Sequence, residues 1–382
     1  MGINKNKEIL YIKLEKKDGQ NFIKFIQKNL KKTPIINHKF KILRENENVL
    51  FPIFEHQGVL DKLADLEENQ INFEFITKEG VPNVNYKYRT LQEVLVGKIS
   101  DKYLDLIPKS YDIIGDIAVI EFDKFNELND KKASDYKEKV AEGIIDINKN
   151  VKTVYEKKSQ IKGKYRLREL AHLYGKDKYE TIHKENDCFF KLDIKNTFFS
   201  PRLVFERQRI SSSKIEQNEI IIDMFSGVGT FAIQIAKKNK VKVYAFDVNP
   251  NAYRYLKENI KLNKIIGDVI PHNINIKELF ELPNQLGQLL FHKADRVIMN
   301  LPENSIKFVD VACFLMKKSG GILHFYQFSE KPNPIEKTLK SIELNLANIN
   351  WEIENIINSK IVKHYSPRSE LVVVDLKIKS MK

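Results

Sequence analysis

Cysteine is nearly absent: 382 residues carry two, Cys188 and Cys313, far apart and each in apolar surroundings. Without a C-x-x-C pair neither structural zinc nor a disulfide framework is expected, and both thiols read as buried and inert. Long apolar runs are missing as well; none reaches 18 residues, and the N-terminus has no apolar signal core. That argues against a membrane-spanning helix and makes a soluble, cytoplasmic protein the expectation. Internal repeats and low-complexity tracts are absent too. What remains is a chain long enough for two or three domains, with 42% hydrophobic residues to fill their cores.

The stretch from Glu219 to Pro250 says most about chemistry. An apolar run, Ile220 to Ile222, ends in Asp223 and is followed by Ser226, Gly227 and Gly229, after which Phe231 to Lys238 has helical character. This is a strand, a tight glycine turn and a helix N-terminus. About 20 residues on, a second apolar run, Val241 to Phe246, delivers Asp247 where a doubly wound sheet places the acid that binds ribose hydroxyls. The turn decides which nucleoside. A dinucleotide site needs G-x-G-x-x-G against a pyrophosphate, whereas here one acid precedes a single G-x-G. An acid at that point suits an ammonium group, and the helix N-terminus suits a carboxylate. The amino-acid moiety of S-adenosylmethionine carries both. Asp223, Phe225, Ser226, Gly227, Val228 and Gly229 are therefore expected on that moiety, and Asp247, Val248 and Asn249 on the nucleoside. A packing turn without a ligand is the plainer alternative, and it leaves the second acid unexplained.

The net charge of +13 is unevenly spread, with basic segments 1–40 and 131–210 flanking an acidic one, 41–130. A polyanion is the natural partner of such segments, because phosphate neutralisation supplies most sequence-independent affinity. The competing explanation is a composition rich in Lys, Asn and Ile that loads every surface with lysine. Charge alone favours nucleic acid without deciding it.

Patterning predicts a small first unit over 1–56: a strand at Ile9 to Lys13, an amphipathic helix from Asp18 to Asn29, and a hairpin of Phe40 to Leu43 with Val49 to Phe54. Residues 57–90 read as a polar, acidic linker with some helix at 59–68. A middle α+β unit, 91–205, is expected to hold short helices at 91–96 and 101–106, an alternating strand from Tyr111 to Phe122 and a long helix at 130–148. One antiparallel sheet would follow from Val151 to Tyr155, Lys164 to Leu167, Glu180 to Glu185 and Cys188 to Asp193. From 206 to 382, strands at 220–222, 241–246, 268–271, 294–299, 320–327 and 370–378 predict an α/β, Rossmann-like sheet, doubly wound, of the class I methyltransferase type, ending in an antiparallel hairpin.

Asp295 to Pro302 reads DRVIMNLP, a buried strand that brings Asn300 to the carboxyl end of that sheet, where ligands bind. Enzymes acting on exocyclic base amines typically carry Asn-Pro-Pro and an aromatic residue here; Leu301 and Glu303 depart from that and argue for another target atom. With KYRLREL (164–170), ETIHKEN (180–186), FFSPRLVFERQRI (198–210), DMFSGVGTF (223–231), AFDVNP (245–250), KENIKLN (257–263) and HYSPRSELVVVDL (364–376), the chain resembles the archaeal and eukaryotic tRNA (guanine-N1)-methyltransferases that act on guanosine 37 beside the anticodon. The first 160 residues match more loosely, through 94–122.

The resemblance implies S-adenosylmethionine as cofactor, tRNA as partner, no metal, no protein partner and a monomer. It implies an N-terminal module that inspects tRNA outside the anticodon, a middle RNA-binding domain and a catalytic domain. Guanine N1 keeps its proton at neutral pH, so a base must remove it before methyl transfer. By the resemblance Glu206 is that base with Arg202 close by, Arg166 stabilises the charge growing on O6 with Arg168 as neighbour, and Asn300 orients the base edge and borders the cofactor with Pro302. Phe198 and Phe199 stand where relatives often have Tyr-Phe, which keeps stacking on a flipped base and loses a hydroxyl. Asn275 replaces the aspartate expected after the third strand and would accept from the adenine amino group without charge. Plainer readings are a surface ion pair for Glu206 and phosphate contacts for Arg166 and Arg168. Three other functions stay open: a second methylation at carbon 7 of a wyosine precursor, another RNA position, or a catalytically silent RNA-binding module.

Overall fold

Apolar residues recurring along β1, Glu8–Glu15, place it inside a four-stranded sheet ordered β2-β3-β1-β4, with β2 Leu43–Glu45, β3 Asn48–Pro52 and β4 Glu74–Glu79. This is part of a computed structural model that describes residues 7–30, 34–63, 66, 71–122, 130–280 and 284–381. The helix Gly19–Asn29 lays Phe22 and Phe25 on the sheet, with Phe22 and Phe51 at 5.0 Å between ring centroids. β4 corrects the reading of 57–90 as a linker. It pairs with β1 from Glu8–Glu79 to Lys13–Glu74, and its run of mostly exposed, charged residues is what hid it. A helix is described at Gln57–Leu63; most of the remaining stretch expected as helix, to 68, lies outside the described residues.

A second sheet in the same unit has the order β5-β6-β7-β8: β5 Tyr111–Ile114, β6 Ile117–Ile120, β7 Thr153–Lys157 and β8 Leu170–Gly175. The single strand expected over 111–122 is a hairpin, because Gly115 takes a φ of 58° that an extended chain cannot. β6 and β7 are parallel and are joined through the helix Asp130–Ile147, whose Val140 and Ile144 pack with Leu95 and Ile120. The unit comprises Met1–Lys158 and Leu170–Lys178.

The other unit comprises Ser159–Glu169 and Tyr179–Lys382. Lys164 to Leu167, expected as a strand, is instead a turn: Gly163 and Arg166 have φ of 73° and 56°, and the bridge Lys162–Leu167 closes it. β9 Glu180–Glu185 and β10 Cys188–Asp193 pair only with each other, not with β7. Two asparagines one turn apart on the helix Pro250–Leu262 and its C-cap hold them here: Asn259 accepts from the Lys191 amide at 2.7 Å, and Asn263 from the Phe189 amide at 2.9 Å. That is the structural work of the KENIKLN segment.

Seven strands form the main sheet, in the order β13-β12-β11-β14-β15-β17-β16: β11 Ile220–Asp223, β12 Lys242–Phe246, β13 Asp268–His272, β14 Arg296–Met299, β15 Gly321–Glu330, β16 Trp351–His364 and β17 Ser369–Ser380. β13, β12, β11, β14 and β15 run parallel, and β17 runs antiparallel between β15 and β16, which gives the expected final hairpin. β16 was not among the expected strands; it is an edge strand with mostly exposed or half-buried residues and three register shifts, so it lacks clean alternation. The chain leaves β11 for neighbours on opposite sides, β12 and β14. That switch point opens a crevice at the strands' carboxyl ends.

Candidate functional site

A cavity of about 370 Å³ opens there, within the range of small-molecule sites. The glycine turn makes one wall. Gly229, at φ 93°, starts the helix Thr230–Lys238; that left-handed backbone calls for glycine, and a Cβ would also push on the side-chain ends of Leu256 and Ile233, 2.4 and 2.9 Å away. Gly227, at φ 55°, turns its missing Cβ to within 3.7 Å of the Phe198 carbonyl, which leaves the wall open. Ser226 ties the turn to β12, its amide and hydroxyl both donating to the Phe246 carbonyl.

Two acids end the strands at this wall. Asp247 accepts from the Gly227 and Asn249 amides, each at 2.8 Å; burial nonetheless raises its pKa, and those two bonds work against the rise. Asp223 is fully buried, and neither of its oxygens makes a hydrogen bond. Burial raises its carboxyl to about 7, tempered by the nearby Phe225 and Ala232 amides. A buried carboxylate with no partner is costly unless a cation completes it. The pair suits S-adenosylmethionine: Asp247 stands on the wall, where it would meet a ribose, and Asp223 puts a second carboxylate one layer behind it, on the side an ammonium would call for. Phe225 and Phe308, at 5.0 Å, Ile274 and Ile276 give the same wall an apolar lining suited to adenine.

The opposite wall is built around Arg166. Its guanidinium lies 4.3 Å over the Phe198 ring and 3.4 Å from Glu303, and its Nε is buried without a partner. Burial pulls its pKa down, while Glu303 and Tyr365 pull the other way. Phe199 lines the cavity beneath His183 and Arg207. Arg207 is held by a buried pair with Glu185, which also accepts from Gln234 at 2.7 Å; this anchors the helix Val204–Ser211 to β9. Asn300, at the end of β14, reaches the cavity with a buried, unpartnered side-chain oxygen.

Of the residues expected at the site, Arg166, Phe198, Phe199, Phe225, Ser226, Gly227, Val228, Asp247, Val248, Asn249, Asn275 and Asn300 line the cavity. Others do not. Glu206 faces the other side of its helix, where Arg209, Lys360 and the Tyr326 hydroxyl occupy both carboxylate oxygens. Its neighbour Arg207 takes the cavity face because successive helical residues point about 100° apart. Arg202 is exposed and off the wall; Arg168 is half-buried and acts on Arg166 only through its charge. Pro302 lies beneath the wall, its carbonyl accepting from the Phe328 amide. Gly229 and Asp223 are likewise behind the surface rather than on it. Two asparagines spend their oxygens on structure: Asn249 caps the helix Pro250–Leu262 at 3.0 Å, and Asn275 caps the turn Ile276–Leu279 at 3.3 Å. Glu303, Phe308 and Lys164 are wall residues the sequence did not single out. Glu303 was visible only as a departure from Asn-Pro-Pro-aromatic.

Residues 181–354 match the family described as the TRM5/TYW2 methyltransferase domain, and 91–178 the TYW2 N-terminal domain. The tRNA (guanine(37)-N(1))-methyltransferase Trm5b of Pyrococcus abyssi is 33% identical over 370 residues, covering 97% of this chain and 99% of the relative. The chain belongs to the TRM5/TYW2 methyltransferase family. A second member, the tRNA 4-demethylwyosine(37)-methyltransferase Taw21 of Saccharolobus solfataricus, is 36% identical over 271 residues, 70% of this chain and 94% of Taw21. Among solved structures, a complex of aTrm5 with tRNALeu aligns with a TM-score of 0.64 at 31% identity, over 96% of this chain and 99% of that one. The Asp223–Asp247 wall lies within the residues that match the methyltransferase domain.

Proposed function

We propose that this chain methylates ring N1 of guanosine 37 in tRNA, with S-adenosylmethionine as donor. The observation that carries the reading is the pair Arg166–Glu303 on the wall that also holds Asn300. A guanine Watson–Crick edge presents an acceptor, O6, beside two donors, N1–H and N2–H. Arg166 and Glu303 present the complementary donor and acceptor side by side, and the unpartnered Asn300 oxygen is a second acceptor. Adenine reverses the first two of those roles and is disfavoured.

When bound, S-adenosylmethionine supplies an electrophilic methyl group. The chain's own residues prepare the acceptor. Phe198 and Phe199 offer ring faces to a base drawn out of its stack. Arg166, giving up Glu303 for O6, neutralises charge that grows as N1 loses its proton, so it stabilises the transition state more than the ground state. Two carboxylates compete for that proton. Glu206 is the one the family resemblance names, and it would first have to release Arg209 and Lys360. Glu303 is already on the wall beside Arg166, and the arrangement favours it.

A monomer acting without a protein partner belongs to the same reading, and all the lining residues lie in one unit of the chain. Among the described residues no helix is long and apolar enough to cross a membrane, and both cysteines are free and buried; a cytoplasmic enzyme is the reading these support. The basic stretch 1–40 supports an N-terminal module that inspects tRNA outside the anticodon. Likeness to Taw21 supports a second reading, methylation of carbon 7 on 4-demethylwyosine at the same position. The test is a tRNA transcript incubated with the protein and labelled donor, digested and mapped by mass spectrometry. 1-Methylguanosine at position 37 is expected, with none on an adenosine-37 transcript. Methyl at another nucleotide, or only on a precursor-bearing tRNA, discards the first reading.

A further inference from the structure

The segment HYSPR, 364–368, carries part of the family resemblance yet contributes nothing to the cavity wall. It is the turn between β16 and β17, and it stands at the carboxyl end of β15 because Ser369 pairs with Glu330. The Tyr365 amide donates to the Ser369 carbonyl at 3.1 Å, fixing the start of the turn. Its ring lies on Phe328, with centroids 3.9 Å apart and planes at 28°, yet Tyr365 remains 47% exposed. One ring face is therefore spent on Phe328, and the rest of the ring meets solvent.

A single exposed aromatic needs no explanation by itself. The surroundings of this one do. The Phe328 amide donates at 3.0 Å to the carbonyl of Pro302, the residue before Glu303, so the stack is tied to the cavity rim. Tyr365 lies within electrostatic reach of the Arg166 guanidinium. Arg368, in the same turn, is exposed, and its guanidinium is paired with none of the described residues. A rigid aromatic stack with cations on either side is the chemistry by which proteins hold unpaired nucleotides. It is wanted here in particular: when a base is drawn into a pocket, its neighbours in the strand each lose a stacking partner.

We propose that Tyr365 is a nucleobase-stacking platform for an unpaired nucleotide adjacent to the one in the cavity, with Arg368 on its phosphate. The proposal rests on the guanosine-37 reading of the cavity. Phe328 keeps the Tyr365 ring in place before RNA arrives, so little side-chain freedom is lost on stacking.

The test uses the full chain and a guanosine-37 transcript carrying 2-aminopurine at position 36 or 38. Tyr365→Ala is expected to lower kcat/KM for the transcript on the order of tenfold, while Tyr365→Phe and Tyr365→Trp stay near the parent protein. Binding should quench 2-aminopurine at one of the two positions with the parent and with Tyr365→Trp, but not with Tyr365→Ala. Removing the base at that position should erase the difference between parent and Tyr365→Ala. Calorimetric affinity for S-adenosylmethionine, unchanged in all variants, shows that the fold is intact. An alanine variant with parental kcat/KM, or one equally impaired on the abasic transcript, overturns the platform. The fluorescence arm does not depend on methylation, so failure of the guanosine-37 reading shows separately, as a parent protein that quenches without methylating position 37.

Discussion

The two ends of the cavity hold their charges by opposite means. At the glycine turn the acids are set by the backbone: Asp247 by the Gly227 and Asn249 amides, Asp223 by a strand end that buries it with no hydrogen bond. At the far end Arg166 is set by side chains, over Phe198 and against Glu303, a partner 137 residues away in sequence. At the first end both acids and the turn between them come from one strand-turn-helix-strand unit. The second exists only once a turn at 163–167 has packed against the end of β14. An electrophile's carrier can be held by a local motif, whereas recognising one base edge takes donors and acceptors from separate segments placed within a hydrogen bond of each other.

The largest expected effect breaks the far end alone. Arg166→Ala should slow single-turnover methylation by roughly 10² to 10³ fold, with cofactor affinity unchanged. Glu303→Gln and Glu206→Gln sharpen it: the variant of the true base loses roughly 10² to 10⁴ fold at neutral pH and recovers part of this as pH rises and solvent deprotonates the guanine. Glu303→Gln is expected to behave so. If Glu206→Gln does instead, the helix Val204–Ser211 must rearrange on binding tRNA.

A smaller effect is expected at the near end. Asp247→Ala removes the acceptor for two backbone amides as well as the ribose contact, so affinity for S-adenosylmethionine should fall at least about tenfold, with tRNA affinity kept. Calorimetric titration of each ligand separates the two. A loss of both would mean that the ends are not independent.

The smallest effect is a pH dependence of stability and cofactor affinity that comes from the near end. Asp223 has its carboxyl raised to about 7 from an ordinary 3.8. The folded chain therefore holds this proton to higher pH than the unfolded chain, and the stability it contributes is full below 3.8 and lost as pH rises through about 7. An ammonium partner needs the ionised form. Cofactor affinity should therefore rise with pH up to about 7 and then level off, with a slope below that of no more than about tenfold per pH unit. Asp223→Asn should flatten both curves, read by thermal melting without ligand and by titration with it. An unchanged pH profile in that variant would remove Asp223 from the ammonium site.

Ile220–Asp223, the glycine turn and Val241–Asp247 were legible because each piece of evidence is local: an apolar run, a residue able to take positive φ, an acid at the next strand's end. The segment 164–167 misled because it alternates like a strand, and only the positive φ of Gly163 and Arg166 makes it the turn that aims a guanidinium into the cavity. Strand β4 was missed because no buried residue marks it, and β9–β10 went to the wrong unit because Asn259 and Asn263, which claim them, lie about 70 residues on.

By itself the sequence determined the class of sheet, the carboxyl-end acids and the cofactor they suit, since hydrophobic periodicity and glycine freedom act over a few residues. The tertiary structure alone decided which carboxylate stands beside Arg166. A helical residue's direction turns by about 100° per position, so Glu206 faces Arg209 and Lys360 while Arg207 faces the cavity, and the packing of the whole helix, not the order of its letters, selects between them.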